Sequence, residues 1–262
     1  AAAKLFAGMV KKRKLTKREA QQKLELISGT TDYDGFSNVD LVIEAVVENM
    51  DIKKKVLRET EAVLRENAIF ATNTSSLSVT ELAKASSRPE NVVGMHFFNP
   101  VHRMPLIEVI RGEKSNDRAV VAVFELSKRL GKTPIVVKDG AGFLVNRLLL
   151  PYLNEASYIM SEGAPIEELD QLVLKFGMPM GPATLLDEVG LDVGVKVSKI
   201  LHQAFGARAM PCALNDRLVE AKLLGKKSGK GFYLYDATGR KGDLNPDIYK
   251  VLGVTPRMPS KE

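Results

Sequence analysis

Apolar and polar positions follow two different rhythms along the chain. Between residues 40 and 137, short apolar runs recur: Asp40-Leu41-Val42-Ile43-Glu44-Ala45-Val46-Val47, Ala68-Ile69-Phe70-Ala71-Thr72, Val92-Val93-Gly94-Met95-His96-Phe97-Phe98, Leu106-Ile107-Glu108-Val109-Ile110 after Pro105, and Pro134-Ile135-Val136-Val137. Near-continuous runs of this length are the pattern of strands buried on both faces. Helical spacing fills the intervals at 51–66, 78–85 and 116–130, the last closed by Gly131. Residues 1–30 also read as helix, being charged, rich in Lys, Glu, Gln and Leu, and free of Pro. Strands alternating with helices predict an α/β sheet that is parallel at first.

The rhythm changes after Lys138-Asp139-Gly140. From Ala141 onward the pattern is helical only, over 141–161, 166–175, 182–188, 191–205 and 214–223, punctuated by Gly163, Pro165, Gly177, Pro179, Gly181 and Pro182. The predicted architecture is therefore an α/β domain over 1–138 followed by an all-α domain over 139–262. Pro151 is expected to kink the first of the later helices. The α/β part reads as a truncated Rossmann-type sheet. Such domains open with a strand, then G-x-G-x-x-G, then a helix whose N-terminus holds a pyrophosphate. No G-x-G-x-x-G occurs in the 262 residues, and the chain reads as beginning inside a helix, with the first βαβ unit missing. An exposed sheet edge and weakened dinucleotide affinity are the expected consequences.

Composition narrows the function classes. Hydrophobic residues make up 45% and charged residues 27%, as in ordinary globular proteins. No apolar run approaches a membrane span, and Ala1-Ala2-Ala3-Lys4-Leu5-Phe6 carries no signal-peptide core. The single cysteine, Cys212, excludes an internal disulfide framework and agrees with a reducing, cytoplasmic setting. The net charge is +6, densest at Lys11-Lys12-Arg13-Lys14 with Lys17 and Arg18. That run reads first as a solvated helix face and second as a surface for coenzyme A phosphates. Nucleic acid is a poor fit, because no aromatic residues are interleaved for stacking.

Three histidines bound the acid–base chemistry: His96, His102 and His202. His96 ends an apolar strand just before the turn signal Asn99-Pro100, and the C-terminal edge of such strands is where α/β sheets bind ligands. Glu108 lies in the next apolar strand, where an unpaired carboxylate is unfavourable to bury. A His–Glu pair would fix the ring tautomer and favour a general base. The competing reading is a satisfied core histidine and an exposed strand glutamate. Asn73-Thr74-Ser75-Ser76 is either a helix N-cap or a set of hydroxyls lining the same edge. Asn146 reads as a buried structural amide or as a group facing substrate. No metal-ligand spacing, no G-x-S-x-G elbow and no Tyr-x-x-x-Lys pair is present.

Several of these segments together resemble the L-3-hydroxyacyl-CoA dehydrogenase family: Val42-Ile43-Glu44-Ala45-Val46-Val47-Glu48-Asn49, Asn73-Thr74-Ser75-Ser76-Leu77, Gly94-Met95-His96-Phe97-Phe98-Asn99-Pro100-Val101, Gly142-Phe143-Leu144-Val145-Asn146-Arg147, Met180-Gly181-Pro182 and Lys226-Lys227-Ser228-Gly229-Lys230-Gly231-Phe232-Tyr233. They stand in the family's order, and the wording is nearest to the bacterial multifunctional fatty-acid oxidation α-subunit. Asp243 to Glu262 is similar to that protein's continuation toward a second helical domain. The resemblance implies NAD-dependent oxidation of L-3-hydroxyacyl-CoA to 3-ketoacyl-CoA in fatty acid β-oxidation. It implies His96 as the base, Glu108 as its partner, and Ser75 and Asn146 as groups holding the substrate oxygen. Glu48, Lys53, Ser75, Asn99 and Lys227 match positions beside the nicotinamide and its ribose. A homodimer joined through the helical domain, or a place in a multifunctional complex, is implied in the same way. The alternative is a non-catalytic acyl-CoA-binding or dimerisation fragment of such an enzyme.

Overall fold

The computed structural model describes residues 2–257. Two helices lead in, α1 (Ala2–Lys11) and α2 (Lys17–Glu25), where one long helix is predicted. The break has a local cause. Arg13 takes a positive φ of 55°, and Thr16 caps α2 by accepting from Glu19 N while Glu19 reaches back to the Thr16 N–H. A Thr followed three residues later by Glu is a helix-start signal strong enough to divide the stretch.

The sheet then builds as β1 (Leu41–Glu44), α3 (Met50–Glu61), β2 (Ile69–Thr72), α4 (Val79–Ala83), β3 (Val92–Phe97), β4 (Leu106–Arg111), α5 (Asp117–Arg129) and β5 (Thr133–Lys138). Spatial order follows chain order, from β1 to β5. β1, β2 and β3 are parallel, β4 runs antiparallel to β3, and β5 is parallel to β4. The sheet is thus mostly parallel, as expected. β1 is half as long as the apolar run predicts, because the Glu44 carboxylate accepts the Val46 N–H at 2.7 Å and turns the chain out of the strand.

Side chains alternate across the pleat. Ile69, Ala71, Val93, Met95, Ile107 and Val109 pack under α5 with Ala119, Val120 and Val123. Phe70, Val92 and Ile110 face the other way, against Leu57 of α3, Val79 and Leu82 of α4, and Phe143. By the same period of two, Glu44, Thr72, His96 and Glu108 share that second face. Four polar groups are thereby brought to one side of an otherwise apolar sheet. Gly94 is required on this face, since a Cβ there would lie 2.7 Å from Ile110 Cβ.

Beyond the sheet come α6 (Val145–Ser161), α7 (Ile166–Phe176), α8 (Pro182–Val189), α9 (Leu191–Phe205) and α10 (Ala213–Glu220). Helix α6 continues through Pro151 without ending there. This part is helical as expected, with one exception. Tyr233–Tyr235 (β6) and Lys241–Leu244 (β7) form a two-stranded antiparallel ribbon before the short α11 (Ile248–Leu252). Alternate burial of Tyr233 and Tyr235 about exposed Leu234 is strand periodicity. The Asp236 carboxylate builds the turn by accepting the N–H groups of Thr238 and Arg240. The tail similarity at Asp243–Glu262 thus falls on the end of β7 and on α11, and its last five residues, 258–262, lie outside the described residues.

The helical core is pinned by two buried acids. Asp170 caps α8 through Ala183 N and Thr184 N and accepts from the Tyr233 hydroxyl. Asp187 accepts Phe232 N and Tyr233 N, both at 2.9 Å, and its carboxyl is pushed up to about 6 by burial. Gly231 fits because a Cβ there would stand 2.0 Å from Asp187 Oδ1. Gly231 of the Lys226–Tyr233 motif therefore has a packing role.

Candidate active site

The antiparallel register of β3 and β4 sets His96 directly opposite Glu108. Both are buried, and His96 Nδ1 lies 2.8 Å from Glu108 Oε2. The other carboxylate oxygen, Oε1, accepts the backbone N–H groups of Leu144 and Val145, each at 2.9 Å. Those N–H groups are the free donors at the start of α6, where the helix dipole is positive. They are aimed by a tight turn in which Gly142 (φ 73°) and Phe143 (φ 47°) both take left-handed conformations. Burial pushes the Glu108 carboxyl up, but the bonds from His96, Val145 and Leu144 outweigh it and hold the group below its ordinary value of 4.5. Glu108 is therefore an acceptor-only carboxylate, and the proton between the pair belongs on Nδ1. In the neutral ring, Nε2 is then the acceptor. The ring packs against Phe98 and Phe143, with centroids 4.5 and 5.9 Å away.

The second half of the cluster gathers where β1 and β2 end. Glu48 Oε1 accepts from the Thr74 hydroxyl at 2.7 Å, Ser75 N at 2.9 Å and the Ser76 hydroxyl at 3.4 Å. Thr74 in turn accepts Leu77 N, so the turn entering α4 is tied at both ends. Ser78 is the true cap of α4, accepting Glu81 N. The N-cap reading thus applies to Ser78 and leaves Ser75 exposed. Asn146, in the first turn of α6, donates its amide to Ser75 O at 3.1 Å. This bond and the Leu144 and Val145 bonds to Glu108 bring the Ser75 turn and the His–Glu pair to the same helix N-terminus.

The remaining predicted residues divide. Lys53 is fully buried, with Nζ 2.8 and 3.1 Å from the two Glu44 oxygens and 3.4 Å from Glu48 Oε2. Its ammonium faces these carboxylates and not the cleft. Asn99 lies exposed just beyond β3. Lys227 sits in the helical part, ion-paired with Asp192 of α9. It approaches the cluster only through α9, where Lys196, one turn beyond Asp192, reaches Glu48 O at 3.4 Å. Glu44 and Thr72 belong to the cluster but are not singled out by sequence reasoning. Glu44 carries the signal that marks Glu108, an acid in an apolar strand. Its partner, however, lies nine residues on in a helix, where no strand pattern reveals it.

The family model described as 3-hydroxyacyl-CoA dehydrogenase, NAD binding domain, matches residues 1–140, and that of the 3-hydroxyacyl-CoA dehydrogenase C-terminal domain matches residues 142–235. The fatty acid oxidation complex subunit alpha of Shewanella amazonensis is 46% identical, covering 97% of this chain. The chain spans 36% of that protein's length. Among solved structures, an (S)-3-hydroxybutyryl-CoA dehydrogenase from Ralstonia eutropha is 43% identical with a TM-score of 0.85, covering 89% of this chain and 84% of that one. A 3-hydroxybutyryl-CoA dehydrogenase from Escherichia coli K12 is 34% identical with a TM-score of 0.84, covering 93% of this chain and 52% of that one.

Proposed function

The chain belongs to the 3-hydroxyacyl-CoA dehydrogenase family, and from this we propose that it performs that reaction, oxidising L-3-hydroxyacyl-CoA to 3-ketoacyl-CoA in fatty acid β-oxidation. The observation that carries the reading is the His96–Glu108 pair, with Nδ1 bound to the carboxylate and Nε2 free. In this reading Nε2 takes the proton of the 3-hydroxyl, and Glu108 stabilises the imidazolium that forms. NAD supplies the hydride acceptor. The Ser75 hydroxyl and the Asn146 amide hold the substrate oxygen, and the short link between Asn146 and Ser75 O supports their acting together.

The residues present fit the nicotinamide end of the cofactor. Glu48, Ser75 and Asn99 lie at the ends of β1, β2 and β3, and Val46 and Val47 leave apolar surface exposed beside Glu48. Lys53 serves through Glu48, and Lys227 through α9. We read 1–138 as the cofactor domain and 139–262 as the domain closing the cleft, a division supported by the passage from β5, ending at Lys138, to α6, starting at Val145. We also place the protein within a fatty acid oxidation complex, supported by the names of its relatives, and in the cytoplasm, where such a complex would work on acyl-CoA. Among the described residues no helix is long and apolar enough to cross a membrane.

The test is NADH oxidation by the purified chain with acetoacetyl-CoA, beside His96→Gln. Loss of a general base lowers turnover by roughly 10²–10⁴-fold, and a variant that folds and retains parental turnover would refute the assignment. A folded parent that binds acyl-CoA but turns nothing over would favour the non-catalytic acyl-CoA-binding reading.

A further inference from the structure

Beneath the Ser75 turn, three ionisable side chains form a cluster mostly closed to water. Lys53 is 0% exposed and Glu44 3%. An unpaired ammonium at that depth is strongly disfavoured, so the burial of Lys53 depends on the Glu44 carboxylate beside it. The Glu44 carboxylate accepts four hydrogen bonds within the protein. Oε1 accepts Lys53 and Val46 N, and Oε2 accepts Lys53 and the Thr72 hydroxyl at 2.7 Å. Through the ammonium it connects to Glu48 Oε2, and the opposite oxygen of Glu48 holds Ser75 N and its two neighbours' hydroxyls.

We propose that Glu44 is a positioning residue of the dehydrogenase site. Through Lys53 and Glu48 it fixes the Ser75 turn, and with it the Ser75 hydroxyl and the carbonyl that Asn146 grips. The catalytic half of this rests on Ser75 holding the substrate oxygen. The structural half, from Glu44 to the Ser75 backbone, stands on the contacts alone. Thr72 shares the role by anchoring the far oxygen of Glu44 from the neighbouring strand.

A plain counter-charge would behave differently from a positioning group, and a paired substitution separates the two. Glu44→Gln, Lys53→Met and the double variant are compared with the parent in the full chain. The readouts are amide hydrogen exchange at Ser75, with the β3 amides as internal reference, and kcat and KM for acetoacetyl-CoA. Glu44→Gln should speed Ser75 exchange by about tenfold or more, leaving β3 unchanged, because the turn opens locally. It should also lower kcat by about tenfold with little change in KM, because misplacing a substrate-holding group acts on the chemical step. The double variant should regain global stability, having no buried unpaired charge, yet keep fast Ser75 exchange and low kcat, since Glu48 has lost its cation. Unchanged Ser75 exchange in Glu44→Gln overturns the proposal, and so does a double variant that recovers both stability and Ser75 protection. If Glu44→Gln does not fold, Thr72→Val loosens Glu44 without exposing a charge. Faster Ser75 exchange is again expected, and parental exchange overturns the proposal. A parent without turnover removes the catalytic reading of Ser75, while the exchange comparison still decides whether Glu44 holds the turn.

Discussion

Glu108 shows how one side chain can tie chemistry to stability. It is fully buried and accepts three donors: the imidazole and two N–H groups of a helix start. Its folded value lies below the ordinary 4.5 although burial acts against this. A depressed carboxylate contributes stability that is present above its unfolded value and is lost as pH falls through the folded one. Glu108→Gln keeps the shape but sets an NH₂ against donors, and removing one partner of a buried charged network is unfavourable by roughly 3–5 kcal/mol. Urea unfolding at pH 7 should show that gap, and at pH 3 the gap should narrow because the parent loses its advantage. A gap constant from pH 7 to pH 3 would mean that Glu108 is not a native-state carboxylate. The pair was legible in the sequence because an acid in an apolar strand and a histidine at the end of the preceding strand each signal a partner. The Glu44–Lys53 pair was not, because a strand acid meeting a helix lysine depends on how α3 is rotated, which spacing alone does not encode.

Among the elements, the turn before α6 does most to shape the site. A helix was expected from Ala141, yet it starts at Val145 because Gly142 and Phe143 are left-handed. A glycine with positive φ is a readable signal only when the turn's purpose is known, and here the purpose is a carboxylate 34 residues earlier. The conformation also brings Gly142 against α9, where a Cβ would stand 2.9 Å from Leu201 Cδ2. Gly142→Ala should therefore destabilise the fold by about 1–2 kcal/mol from the left-handed backbone alone. It should also lower turnover by displacing the N–H groups on Glu108. Thermal unfolding and steady-state kinetics check this together, and wild-type values in both would show that the turn tolerates a side chain. Elsewhere the strands and helices of the sheet were readable within a few residues, since buried parallel strands are continuous apolar runs. The β6–β7 ribbon was missed because its alternation spans only Tyr233 to Tyr235, too short to stand out from helical neighbours.

For the whole molecule, the central strands are buried on both faces, while apolar side chains stay uncovered on the edge strands and on the helical part. Leu172 and Phe176, one turn apart on α7, are 61% and 86% exposed, and Leu148 on α6 is 69% exposed. Ile159, Leu169 and Leu172 line a groove of about 360 Å³ between these helices. Large exposed apolar side chains in proximity mark association surfaces. The homodimer implied by the family resemblance is expected to use this face. Sedimentation velocity should find a dimer for the parent and a monomer for Leu172→Lys/Phe176→Lys, whereas identical sedimentation would remove α7 from the interface.

The reversed direction of β4 also governs the order in which the site can assemble. Because β3 and β4 are antiparallel neighbours, His96 and Glu108 are only 12 residues apart, whereas the helix start that completes the Glu108 shell is 36 residues away. Closing the longer loop carries about 1 kcal/mol more chain entropy. During refolding, the His96–Glu108 pair can therefore meet within one strand pair, as a local event. The N–H groups of Leu144 and Val145 can reach Glu108 only once the following strand and helix have docked, so the last two donors to the carboxylate depend on the longer closure.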